Sequence, residues 1–549
     1  MKLSPSAHVD TFCRDNLPPA DQWPDLLFDL PELAYPDRLN AATRLLDDTV
    51  RRLGRDRPCL LAPGEEPWSY GDLLDRSNQV ANLLTDDLGL VPGNRVLLRA
   101  PNNPWLVAVW LGVLKAGGVV VLTMPLLRQA ELVTMIELTR PDLAICDHRF
   151  LDDLVAARDE QSPGMPVLAY GGDAGDDLVA RASAKPTTHD DVATAADDVA
   201  LLAPTSGTTG RPKVTMHFHR DVLANADTFS TYVLKPTPDD IFATTAPFAF
   251  TFGLGAALVF PLHVGGAALL IEKATPAQLA QHVADHGVTV LSTAPTAYKA
   301  MVATGAAPQL ASLRRMVSAG ETLSKPTSDA VYEATGLRII DGIGATEMLH
   351  IFISASDDDI RPGATGKPVP GYVATVLGPD GDEVPDGEPG RLAVKGPTGC
   401  RYLADPRQSV YVQNGWNVTG DTYVRDAEGY FWYQARSDDM IVSSGYNIAG
   451  PEVEVALLSH PDVVECAVIG VPDEARGQLV AAYVVLRPGT DPGEATQKAL
   501  QDHVKALIAP YKYPRAVVVV DELPKTLSGK LQRYRLRAEA EKQAPTPTA

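Results

Sequence analysis

Residues 205–213 read TSGTTGRPK, placing two hydroxyl pairs, two glycines and two cations within nine positions. Glycine lets backbone N–H groups approach an anion closely, and Ser and Thr hydroxyls add further donors. The segment therefore predicts a phosphate cradle made of Thr205, Ser206, Gly207, Thr208, Thr209, Gly210 and Lys213. It is not a Walker loop, because Pro212 separates Arg211 from Lys213 where that loop requires contiguous Gly-Lys-Ser/Thr. A polar hairpin turn is the plain alternative. Other candidate groups follow downstream: IGATE (343–347), TGD (419–421), QARSDD (434–439) and SGK (528–530). Taken singly, each reads as a turn, a solvated loop or a surface charge.

Apolar strand-like runs that alternate with amphipathic stretches would position these groups. RVLLRAP is followed by PWLVAVWLGVLKAGG and then VVVL; TVLSTAP precedes TAYKAMVATG; RRMVSAG leads through TSDAVYEATG to RIID. This alternation predicts an α/β fold with layered, largely parallel sheets. After about residue 362, short strand patterns and the turn-rich PDGDEVPDGEPG predict a more β-rich subdomain reaching to 437. From 438 to 549 the pattern is that of a small α+β unit, and the expected division is 1–437 and 438–549. The polar stretch at 173–191 is expected to be a surface connection.

Composition narrows the function. With 69 acidic against 48 basic residues the net charge is -21, and a general nucleic-acid binder would need a basic face. Anionic substrates must be drawn in by a local positive site. Five scattered cysteines form neither a disulfide framework nor a metal-binding CxxC pair, so a reducing cytoplasm is expected. The N-terminal residues lack the apolar stretch of a signal peptide. Residues 247–271 carry no formal charge and are long enough to span a bilayer. Pro261, His263 and several glycines break that run, predicting a buried helix–strand unit and no membrane insertion.

Taken together and in order, the motifs resemble the signatures of the adenylate-forming superfamily of acyl-CoA synthetases, luciferases and peptide-synthetase adenylation domains. The resemblance implies ATP, Mg²⁺ and coenzyme A as reagents. It places Thr346 on phosphate, Glu347 on Mg²⁺, Gly320, Glu321 and Thr322 on the nucleotide, Asp421 on the ribose, and Arg436 near ribose and phosphate. It makes Asp438 the hinge of a mobile C-terminal domain, Lys530 the catalytic lysine, and Gly445 and Tyr446 part of the CoA channel. The chemistry is coherent: two anions, a carboxylate and ATP, react, so catalysis is mostly positioning plus neutralisation of charge.

DGIGATEMLHIFIS (341–354) and the N-terminal region resemble benzoate- and 2-aminobenzoate-CoA ligases more narrowly. That resemblance puts Phe250, Thr251, Phe252, Ala319, Gly344, His350 and Ile351 around a small aromatic acid, with Phe250 where many relatives carry histidine. His350 is either a satisfied core histidine or a partner for the carboxylate or an ortho substituent, which points to salicylate or 2-aminobenzoate, with plain benzoate a further possibility. Competing expectations are an aryl-adenylating enzyme that loads a carrier protein, and a degenerate protein that only binds nucleotide. The HxH pair, His217 and His219, lacks companion ligands and is expected at a strand end or helix start. Monomer and homodimer both stay open.

Overall fold

The computed structural model describes residues 3–172, 175–205, 212–321, 323–436, 440–524 and 533–543. Two large sheets form its body. The first has six strands in the order Val167–Tyr170, Leu143–Asp147, Arg95–Arg99, Val119–Thr123, Val199–Thr205 and Lys213–Phe218. All neighbours are parallel except the last pair, an antiparallel hairpin. Its central strands are buried throughout, which explains their continuous rather than alternating apolar runs. The helix Pro104–Lys115 that links two of them starts from Asn103, whose side chain accepts the Leu106 N–H at 2.9 Å, with Pro104 in the first turn.

The second sheet has nine strands. Its parallel centre runs Ile339–Gly344, Arg315–Ser318, Val290–Ser292, Ile241–Thr244, Ala267–Leu270 and Pro58–Leu61, closed at both edges by antiparallel strands. One continuous apolar core joins the two sheets. A five-stranded antiparallel sheet follows, built from Val373–Leu377, Pro389–Lys395, Val412–Gln413, Trp416–Arg425 and Phe431–Arg436. The last sheet combines Met440–Ser443, Tyr446–Ala449, Val463–Asp473, Gly477–Leu486 and Ala516–Val519. Helices Gly450–Leu458 and Glu494–Leu507 cover it, giving a core of its own.

The mixed α/β fold and the strand–helix alternation agree with expectation. The 173–191 stretch is more than a surface connection: it contains the helix Leu178–Ser183. Leu178 and Ala182 are fully buried in the main core, while Asn78, Gln79 and Asn82 donate to the carbonyls of Thr187, Lys185 and Thr188. Two apolar positions four apart suffice to dock a segment whose overall polarity suggested solvent. Residues 247–271 fold as the helical turns Thr251–Leu254, Gly255–Val259 and Phe260–Val264 and the strand Ala267–Leu270. Among the described residues, no helix is long and apolar enough to cross a membrane.

Candidate active site

The ends of both large sheets converge on one cleft. Thr205 closes the strand Val199–Thr205 and pairs directly with Lys213, which opens the next strand, so the two hold the ends of the predicted phosphate loop in register. Ser206, Gly207, Thr208, Thr209, Gly210, Thr322, Asp438 and Lys530 lie outside the described residues, as does the Arg436 side chain. The backbone of Arg436 pairs with Asp421 across the antiparallel ladder, which brings the two predicted ribose residues together.

Thr346 and Glu347 sit in a single helical turn, Thr346–Met348, just past the Ile339–Gly344 strand. Leu349 then takes φ +70°, a left-handed conformation unfavourable for a branched side chain, and reverses the chain into the strand Ile351–Ser354. Glu347 is buried, and its Oε1 accepts from Tyr402 Oη at 2.5 Å and from Lys213 Nζ at 3.4 Å. Oε2 has no hydrogen-bond partner among the described residues. A single buried carboxylate with one committed oxygen and one spare suits Mg²⁺, which commonly binds through one or two carboxylates plus substrate phosphates. His217, on the Lys213–Phe218 strand, bonds the Thr346 carbonyl through Nε2 at 2.8 Å, and His219 begins the following helix. Neither belongs to a metal cluster among the described residues.

The seven predicted acyl-pocket residues all line one cavity of about 220 Å³. Phe250, Thr251 and Phe252 come from the start of one helix, Ala319 from the end of the Arg315–Ser318 strand, and Gly344, His350 and Ile351 from the 339–354 hairpin. His350 packs among Phe229, Phe252 and Phe260 with ring centroids 5.2, 5.6 and 4.7 Å away. Neither ring nitrogen has a hydrogen-bond partner among the described residues; the Phe252 backbone is near but outside bonding geometry. Burial pushes its pKa down to about 3, so the ring is neutral. Gly255 makes room for it: a Cβ there would come within 2.5 Å of His350 Cδ2.

Ser444 and Gly445, with φ of +49° and +79°, form the tight turn between Met440–Ser443 and Tyr446–Ala449. This turn from the C-terminal sheet reaches the cavity wall together with Tyr446. A second, larger cavity of about 710 Å³ opens beside it between the body and the C-terminal sheet, walled by Met124, Glu131, Ile508 and Tyr511. Phe250 and Thr346 line both cavities. Sequence reasoning missed Tyr402, Tyr511 and Lys512. It also missed Asp341, whose pKa burial raises to about 7, against the opposing effect of a 2.7 Å bond from Ser318 Oγ.

Residues 46–402 match the family described as AMP-binding enzyme, and residues 452–530 match the AMP-binding enzyme C-terminal domain. The chain belongs to the AMP-binding enzymes. It is an adenylate-forming ligase of the acid–thiol class, and ATP, Mg²⁺ and coenzyme A are its reagents. Benzoate–CoA ligase of Thauera aromatica is 36% identical over 518 residues, 92% of this chain and 97% of that one. The crystal structure of the anthranilate CoA ligase AuaEII with anthranoyl-AMP is similar at TM-score 0.72 and 33% identity, covering 94% of this chain and all of the other. A benzoate CoA ligase from Burkholderia xenovorans LB400 gives TM-score 0.68 and 32% identity, covering 91% of this chain and 99% of the other. This AMP-binding enzyme therefore sits close to benzoate- and 2-aminobenzoate-CoA ligases.

Proposed function

We propose that the protein is an aryl-CoA ligase that converts a small aromatic acid to an aryl-adenylate and then to its CoA thioester. The observation that carries this reading is the meeting of the two cavities at Phe250 and Thr346. The smaller cavity, at about 220 Å³, lies below the usual range for ligand pockets and has Phe250, Phe252 and Tyr446 in its walls, which favours a flat ring over a long chain. The larger cavity gives an extended thiol a route to the carboxyl end of that ring.

In the first step a carboxylate oxygen attacks the α-phosphorus of ATP, forming a P–O bond as the bond to pyrophosphate breaks. Residues 205–213 hold the departing phosphates, Asp421 and Arg436 the ribose, and Gly320, Glu321 and Thr322 the nucleotide. Glu347 would hold Mg²⁺, which when bound would offset negative charge on the phosphates. Lys530 places its cation between carboxylate and phosphate. Residues 438–549 then turn about Asp438, and the CoA sulfur attacks the acyl carbon and releases AMP. The compartment is cytoplasmic; five buried, unpaired cysteines accord with a reducing one.

The preferred acid carries an ortho amino or hydroxyl group. His350, neutral and without a hydrogen-bond partner among the described residues, offers one donor and one acceptor beside Phe250 and Phe252, and Thr251 adds a hydroxyl. Pyrophosphate release across benzoate, 2-aminobenzoate, salicylate, cinnamate and medium-chain acids, with and without CoA, tests the whole reading. CoA-dependent thioester from the ortho acids is expected. Better use of benzoate and fatty acids would overturn the ortho assignment, and adenylate without thioester would point to a carrier-protein acceptor.

A further inference from the structure

Tyr402 lies outside both cavities and belongs to none of the motifs that the reaction draws on. It is nonetheless fully buried, and its hydroxyl stands 2.5 Å from Lys213 Nζ and 2.5 Å from Glu347 Oε1. A phenol is an O–H donor at neutral pH, so the hydroxyl donates to Glu347 while its oxygen accepts from the Lys213 ammonium. Lys213 also rests over the Tyr402 ring, 4.5 Å from the centroid.

The segment carrying Tyr402 is held on every side. Its N–H donates to Gln408 Oε1 at 2.9 Å, and it bridges to Thr215 on the strand that starts at Lys213. The preceding residue, Arg401, is completely buried and paired with the equally buried Asp221. A ring fixed in this way has little freedom to follow Glu347; the carboxylate must conform to the phenol.

We infer that Tyr402 is a positioning residue for the metal site: it fixes Glu347 Oε1 and thereby presents Oε2 to Mg²⁺. This rests on the reading of Glu347 as the residue that holds Mg²⁺. An unanchored glutamate has several rotamers, and binding a metal with it means ordering them. The Tyr402 bond meets that cost during folding, before ATP arrives, as partners behind a ligating group do in other metal sites. Lys213 completes the arrangement. It neutralises part of the buried carboxylate and has a further N–H to offer an incoming phosphate.

Isothermal titration with ATP in EDTA and with ATP in excess Mg²⁺ reads the effect without turnover. The unaltered chain is expected to prefer the magnesium form, and Tyr402→Phe should shrink that preference by roughly 10- to 100-fold, the worth of one hydrogen bond to a charged group. Glu347→Gln should reduce it at least as far, and Tyr402→Phe added to Glu347→Gln should change nothing more. A purely structural tyrosine would lower melting temperature and leave the preference intact; an intact preference in Tyr402→Phe beside a lost one in Glu347→Gln overturns the inference alone. If neither variant moves the preference, the assignment of Glu347 itself fails. Should Tyr402→Phe not fold, a crystal structure of the unaltered chain with Mg²⁺ and a non-hydrolysable ATP analogue decides the matter. Metal on Oε2 with Oε1 still on Tyr402 supports the inference, and metal on Oε1 overturns it.

Discussion

Tyr511 stacks on Tyr446 with ring centroids 4.2 Å apart and planes 27° from parallel, and Tyr446 meets Phe250 edge-on at 6.0 Å. Three aromatic rings thus run from the acyl cavity into the C-terminal sheet. Tyr511→Ala removes the far end of that run. A stacked pair contributes about 0.5–1.5 kcal/mol beyond area burial, so thioester formation from supplied aryl-adenylate should slow by roughly 3- to 10-fold. Pyrophosphate release should stay within about twofold, since none of the described first-step residues touches Tyr511. Separate single-turnover measurements of the two half-reactions check this, and equal losses in both would contradict it.

Next to this stack, Lys512 Nζ lies 2.6 Å from Glu131 of the body and 2.6 Å from Glu452 of the C-terminal unit. Lys512→Met strands two carboxylates at a buried contact, a defect that costs about 3–5 kcal/mol in comparable pairs. The C-terminal unit should undock, seen as faster proteolysis between the two cores. Burial raises Glu452 from 4.5 to about 7. The docked state therefore binds that proton more tightly, and docking weakens as pH rises from about 4.5 through 7. In Lys512→Met, where no cation remains between the two glutamates, this pH dependence should steepen.

His350→Phe tests the polar spot in the acyl wall. It keeps an aromatic ring there while removing the donor and the acceptor. One hydrogen bond contributes about 0.5–1.5 kcal/mol, so kcat/KM for 2-aminobenzoate and salicylate should fall roughly 3- to 10-fold relative to benzoate. An unchanged ratio would return His350 to the role of a packed core residue.

Gly255→Ala should act on the same ring from behind. Its Cβ would meet His350 at 2.5 Å and must push the imidazole into the acyl cavity. Overpacking of this kind costs about 1–3 kcal/mol, and KM for every aromatic acid should rise while the affinity for MgATP does not. The comparison needs only initial rates and a nucleotide titration.

Asp341 supplies a prediction on stability. The folded chain keeps its proton up to about pH 7, whereas the unfolded chain releases it near 3.8. Stability is therefore fullest at low pH and declines as pH rises between those values, on the order of 4 kcal/mol by neutrality. Asp341→Asn should flatten the melting temperature across pH 4 to 7. A slope identical to that of the unaltered chain would show that Asp341 ionises freely.

Much of this arrangement was legible in the sequence because its signals are local. Continuous apolar runs such as RVLLR are what a doubly covered parallel strand requires, and each became one. Six of the seven residues expected around the acyl group come from short segments, 250–252 and 341–354, whose neighbours in the chain are neighbours in the cavity, and Ala319 joins them from another strand end. Tyr402 escaped because its meaning lies in a contact across 55 positions to Glu347 and 189 to Lys213, and no local pattern marks a tyrosine as an anchor. The Glu131–Lys512–Glu452 cluster was hidden for the same reason. The helix at Leu178–Ser183 was obscured by the charges around it.

The shared wall of the two cavities bears on how the intermediate is kept. An aryl-adenylate is a mixed anhydride, and water competes with any thiol for its acyl carbon. Phe250 and Thr346 border both cavities, and the Ser444–Gly445 turn lines the smaller one. On the proposed function, the thiol reaches the activated carbon by way of the larger cavity. A nucleophile long and thin enough to fill that corridor expels the water that would otherwise precede it, so the passage that admits the acceptor also guards the acid from hydrolysis.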